Sequence, residues 1–164
     1  MKINLSSAPQ SLTPQFFSTA YAPVVTNYKE QTGKSETTKR RKMKIWLLLA
    51  AANGFLSVGL GAFGAHGLKN KVGEVELAAF ETGAQYHMYH ALALLAVAWL
   101  ATQTDSMSVT IAGSAFMTGI LLFSGSLYFL GATGSRSLVL LTPLGGTAFL
   151  IGWLCLAVAA WCID

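Results

Sequence analysis

Charge is what this chain has least of. Only 11% of its 164 residues are Asp, Glu, Lys or Arg, whereas soluble domains carry about 25%. The deficit is concentrated: Ile45–Leu68, Thr82–Thr104, Ser106–Ser135 and Ser137–Ile163 contain none of the four. Crossing a hydrocarbon core about 30 Å thick takes roughly 20 mainly apolar helical residues, and each stretch is long enough. Hydrophobic residues make up 53% of the chain and mean hydropathy is +0.51, a membrane composition rather than that of a soluble domain. The missing intramembrane carboxylate argues against a proton-coupled exporter of the usual kind. No Walker loop, Rossmann glycine fingerprint or nucleophile elbow is present. Cysteine is scarce as well. Cys155 and Cys162 lie seven residues apart in the last stretch, with no Cys-x-x-Cys and no cationic neighbour, and read as small packing residues.

What is present predicts an all-α protein, a four-span transmembrane helical bundle. The spans are expected at about 45–65, 84–102, 108–131 and 138–161, with a short interfacial helix between spans one and two. The first apolar run has 21 residues before His66, longer than the roughly 7–15 of a secretory signal. The formal charge of +4 is not a nucleic-acid footprint. Five of the eleven cations are Lys39, Arg40, Arg41, Lys42 and Lys44, just before the first span. There they act as a cytoplasmic anchor against anionic lipid, and an even number of crossings returns Asp164 to the cytoplasmic side. Residues 1–42 are polar, hold three of the four prolines and show no helical apolar period, so disorder is expected. They read as a cytosolic tail, a transit peptide or sequence upstream of a start at Met43. The last is preferred, because Met43-Lys44 runs directly into Ile45-Trp46-Leu47.

Helices in lipid associate through close backbone approach or polar contacts, since hydrocarbon is as apolar as leucine. Small residues at helical spacing supply the approach. In the first span Ala50, Gly54, Ser57, Gly61 and Gly64 form one such face; in the fourth, Gly145, Ala148, Gly152, Cys155, Ala159 and Cys162 form another. The third span contributes Ala112, Ala115 and Gly119.

The unusual polar residues gather at one membrane side: His66, Glu81, Tyr86, His90, Arg136 and Thr142. His90 is the sharpest candidate, about 9 Å inside the boundary by helical rise. It is either a ligand-binding group or a neutral imidazole bonded to a neighbouring helix. His87 and His90 share a face but make an incomplete metal set even with His66 and Glu81 nearby, and a haem held by His66 and His90 lacks a diagnostic spacing. No metal and no cofactor are therefore expected. Asn53 is placed off the glycine seam, bonding another helix. Pro143, ahead of Gly145-Gly146, marks either a helix start or a ligand-lined break.

Five strings are familiar together: Gly59–Leu68, Phe80–Gly83, Tyr89–Leu95, Phe123–Tyr128 and Thr142–Gly146. In that order they resemble the YgdD-like small inner-membrane family of unknown function, domain-of-unknown-function family 423, related to animal transmembrane protein 256. The similarity covers Met43–Trp161 and implies four helices, residence in the bacterial inner (plasma) membrane and no assigned activity. His66 and His90 match the family strings, whereas the resemblance implies Gln where this chain has His87. The expectation is a non-enzymatic integral membrane protein acting through helix packing or assembly, with a transporter or ligand-binding module as the alternative. Its partners are the lipid bilayer and either a second copy or another membrane protein, not nucleic acid.

Overall fold

The computed structural model describes residues 14–161, and every regular element in that range is helical. The helices are α1 (Pro14–Ala62), α2 (Glu74–Gln103), α3 (Met107–Gly119), α4 (Gly125–Thr133) and α5 (Leu141–Trp161). Wider π-helical turns extend α1 through Phe63–Leu68 and join α3 to α4 through Ile120–Ser124. By length and composition, the described residues contain three helices able to cross a membrane: Glu30–Leu68, Met107–Thr133 and Leu141–Trp161. The expected second span lies within α2, whose first half is made polar by Gln85, Tyr86, His87, Tyr89 and His90.

The chain divides into two compact units, residues 1–38 and 39–164. In the first, residues 1–13 lie outside the described residues. Residues 14–38 differ from the expectation of disorder: they are helical. Residues 30–38 are exposed throughout, so no packing holds them. Glu30, Gln31, Lys34 and Glu36 have helix propensities near that of Ala, whereas the three Thr, Ser35 and Gly33 of the same segment do not, so propensity alone does not account for the helix.

In the second unit α3 packs along α5 and α2 along α4, with α2 also meeting α3. The core gathers Trp46 and Ala50 from α1, Leu94 and Val97 from α2, Phe116 from α3 and Phe149 from α5. The separate interfacial helix expected between the first two spans does not form. Residues 74–83 are instead the opening turns of α2 itself. Gly83 is accommodated there because α4 packs so closely that a Cβ would meet the Ser124 carbonyl at 3.2 Å. Pro143 is third in α5, where its missing N–H would have no intrahelical partner anyway, so the site is a helix start and not a break. Ser106 caps α3 by accepting from the Ser108 amide at 3.2 Å. Gly134 ends α4 in the left-handed region, φ 69°, its amide returning to the Leu130 carbonyl.

Aromatic rings seat on glycines, and one spacing recurs. Phe80/Gly83, Phe116/Gly119, Tyr128/Gly131 and Phe149/Gly152 are each an aromatic followed three residues later by glycine. The pairs interlock reciprocally. A Cβ on Gly152 would meet Phe116 at 2.5 Å, and one on Gly119 would collide with Phe149. Likewise a Cβ on Gly131 would meet Phe80 at 2.5 Å, while one on Gly83 would touch Tyr128 at 3.3 Å. Close approach on this scale is how helices in lipid gain dispersion contacts.

The expected α5 face is present: Gly145, Gly152 and Ala159 are buried, Ala148 and Cys155 half-buried, and Cys162 lies outside the described residues. The α1 face is present in part: Ala50, Ser57 and Gly64 are buried as expected, while Gly54 and Gly61 are half-buried and Asn53 joins the line. Its buried line runs Ala50, Asn53, Ser57 and Gly64. A Cβ on Gly54 would meet nothing within 4 Å, and one on Gly61 only Ala84 at 3.9 Å. Asn53 belongs to the packed face because a carboxamide at this depth needs partners that lipid cannot supply.

Candidate functional site

Six polar residues are buried in the described bundle: Asn53, Ser57, His87, His90, Ser124 and Ser126. Five of them join helices or satisfy backbone carbonyls, and their bonds fix which atom donates. Asn53 donates from Nδ2 to the Leu49 carbonyl at 2.8 Å, with Met117 Sδ at 3.4 Å. Its Oδ1 therefore faces His87 Nε2 at 3.0 Å and must accept. His87 then carries its proton on Nε2, leaving Nδ1 to accept from the Tyr128 hydroxyl at 3.1 Å. One imidazole thus ties α1, α2 and α4 with no donor or acceptor left over.

Two further ties flank this one. Ser57 donates to the Ala84 carbonyl at 2.9 Å, joining α1 to α2. Ser126 donates to the Phe123 carbonyl at 2.9 Å and so accepts from Thr142 at 2.7 Å, joining α4 to α5. Ser124, in the π turn, is the exception: its hydroxyl has no partner among the described residues.

His90 is held in an aromatic stack. Its ring lies parallel to Phe149, centroids 3.4 Å apart and planes within 5°, with Phe116 at 5.5 Å. Trp153 Nε1–H can only donate, and it points at His90 Nε2, 3.3 Å away. The proton of His90 therefore sits on Nδ1 and goes to the Tyr86 carbonyl at 2.7 Å. Beside this ring lies an open groove of about 530 Å³, walled by Tyr86, Tyr89, Leu92, Phe123, Phe149, Leu150 and Trp153. That volume falls within the range of sites for a single small molecule. The wall is mostly apolar; His90 and Trp153 satisfy each other, and the Tyr86 and Tyr89 hydroxyls are its other polar groups.

The six residues expected to cluster therefore separate. Tyr86 and His90 meet at the groove, rings 6.2 Å apart. Thr142 serves the tie to Ser126. His66, Glu81 and Arg136 are exposed, and among the described residues none of them is hydrogen-bonded or ion-paired to His90. His87 and His90 engage different helices, and the described residues hold no group of three His, Cys, Asp or Glu side chains placed for a metal. Like His87 itself and Ser126, the His87 partners Asn53 and Tyr128 lay outside the candidate cluster. Their signal was depth: a carboxamide and a phenol inside apolar runs need a mutual partner.

A family model described as protein of unknown function (DUF423) matches residues 60–146. The UPF0382 membrane protein YwdK of Bacillus subtilis is 53% identical over 119 residues, covering 72% of this chain and 97% of that protein. A UPF0382 membrane protein of Haemophilus influenzae is 47% identical over 112 residues, covering 68% and 90%. One from Staphylococcus epidermidis is 46% identical over 117 residues, covering 71% and 95%. No solved structure matches the chain. The resemblance drawn from the five ordered strings is thereby borne out.

Proposed function

The chain belongs to the DUF423 family of unknown function, and from that premise we propose a non-enzymatic four-span protein of the bacterial inner membrane that acts by packing and assembly. One observation carries this reading. Of the six buried polar side chains, all but Ser124 are committed to a neighbouring helix or a backbone carbonyl, so the interior offers a lock in place of a reactive group. The 30 residues of α2 give about 45 Å of helix, ample for a fourth crossing. In its polar segment 85–90, His87 and His90 turn inward, while Gln85, Tyr86 and Tyr89 remain on the outer surface. The cation-rich start of the first span supports cytoplasmic termini.

The outward side carries large apolar groups, among them Phe55, Leu92, Trp99 and Leu150. A second copy or another membrane protein is the partner assembly requires. Single cysteines at Leu56, Leu95 and Leu150, in a protein with Cys155 and Cys162 replaced by Ala, test it by oxidative crosslinking in native membranes. Crosslinks from one contiguous face are expected; none at any position removes self-assembly.

A second reading, a binding module for an apolar molecule, is favoured by the groove beside His90. Gly146 lies along that groove, and a Cβ there would stand 3.8 Å from Phe123, so Gly146→Trp crowds it. Mass spectrometry of material retained by the purified protein should then show one species lost. Identical retained material in both proteins would eliminate this reading.

A further inference from the structure

The basic segment at the start of the first span has two faces, and only one is used by the bundle. Lys39 and Lys42 turn toward Asp105 between α2 and α3, at 4.0 and 3.4 Å. Continued along α1, that face becomes the buried line of Trp46, Ala50 and Asn53. Arg40, Arg41 and Lys44 are exposed on the other side. Steps of one, three and four residues keep them together and lead into Leu48, 71% exposed, and further along into Phe55, 80% exposed. Leu48 lies four residues beyond Lys44, about 6 Å along the axis. The outward face of α1 is therefore a three-cation head set directly above an apolar stripe.

We propose that Arg40, Arg41 and Lys44, with Leu48 below them, bind an anionic phospholipid of the adjoining leaflet. The phosphate sits among the three cations, and an acyl chain runs down the stripe. Charge complementarity selects the lipid: a zwitterionic headgroup brings its own cation against the cluster, whereas a net anion does not. Two guanidinium groups favour a phosphate geometrically, since each can present paired N–H donors. Asp105 sharpens the selection by drawing Lys39 and Lys42 inward, which leaves the outward trio as the accessible cations of this face. A nucleic acid would use the cations but not the stripe. The inference rests on the reading that the first span crosses the bilayer, and it holds for the full chain, in which Arg40 and Arg41 precede Met43.

The full chain in neutral detergent supplies the test, with phosphatidylglycerol or phosphatidylcholine added and retained lipid counted by native mass spectrometry. The wild type should keep phosphatidylglycerol in preference to phosphatidylcholine. Joint replacement Arg40→Gln, Arg41→Gln and Lys44→Gln should cut that preference by about tenfold or more, each cation near an anionic surface contributing on the order of 1 kcal/mol, or about fivefold. Asp105→Asn, which releases Lys39 and Lys42, should hold or raise it. Equal retention of the two lipids by the wild type overturns the proposal, as does an unchanged preference in the triple variant. So does displacement of phosphatidylglycerol by millimolar inorganic phosphate or by a short single-stranded oligonucleotide. Should the triple variant lose its helicity, the comparison of lipids on the wild type decides alone. Carbonate extraction of wild-type membranes separates the two failures: protein released into the wash defeats the spanning reading, whereas retained protein without lipid preference defeats only this site.

Discussion

Helices α2 and α5 divide the labour of the molecule in opposite ways. α2 holds His87 and His90, and twelve of its thirty residues are buried. α5 is almost uniformly apolar, and only four of its twenty-one are buried. In water the more apolar helix would be the hidden one. Here hydrophobicity and burial run against each other, as they must when the surroundings are hydrocarbon: apolar side chains gain little by leaving lipid, while polar ones cannot remain in it unpaired. α2 is the more buried helix, and His87 and His90 are among the residues it turns inward. α5 is held by the few small positions that let it approach.

The contrast can be broken most severely at α5. Gly152→Leu drives a side chain into Phe116, which a Cβ alone would approach to 2.5 Å. A loss of about 3 kcal/mol is expected, at the upper end for overpacking. Leu150→Ala, outward and 71% exposed, should cost less than about 0.5 kcal/mol. Thermal unfolding in detergent compares the pair, and equal melting temperatures would refute a packed seam.

At α2 the substitution that matters is polar. His87→Leu strands the Asn53 carbonyl oxygen and the Tyr128 hydroxyl, with an expected loss of about 1–3 kcal/mol. His87→Gln should stay within about 1 kcal/mol, because a carboxamide can also donate to Asn53 and accept from Tyr128. The resemblance implies Gln at this position, and the bonding pattern gives that a physical basis. Equal losses from Leu and Gln, measured as the denaturant midpoint in a fixed detergent, would mean that the ring packs and its nitrogens do not count.

The smallest effects belong to the residues that share an end of the bundle without sharing a site. His66→Ala and Glu81→Gln, both exposed, should each change stability by less than about 0.5 kcal/mol. A larger shift in melting temperature from either would point to a contact outside the described residues.

Much of this was legible in the sequence. Uncharged runs located the later helices: where 108–131 and 138–161 were expected, Met107–Thr133 and Leu141–Trp161 are helical and, by length and composition, able to cross a membrane. Arg136 and Gly134 mark the interruption, and apolar length dictates the rest. The small-residue phase located the α5 face for the same reason, since a regular helix fixes azimuth from spacing alone. On α1 the phase held at Ala50, Ser57 and Gly64 but slipped at Gly54, where Asn53 turns inward instead. The site was legible only as a depth. Depth along the membrane normal says which residues share a level, not which point at one another, so His66, Glu81 and Arg136 were grouped with Tyr86 and His90. The four aromatic-x-x-glycine pairs were written plainly in the chain, but their reciprocity depends on which helices are neighbours.

The wide turn at Ile120–Ser124 gives the third rod its own mechanics. Upstream of it the Phe116/Gly119 clasp grips α5; downstream the Tyr128/Gly131 clasp grips α2. A turn that underwinds the ladder changes the bearing of everything after it, so one continuous shaft can engage two different companions along its length. The joint fixes the angle between the two clasps, so α5 and α2 are each met at the bearing their own glycines require.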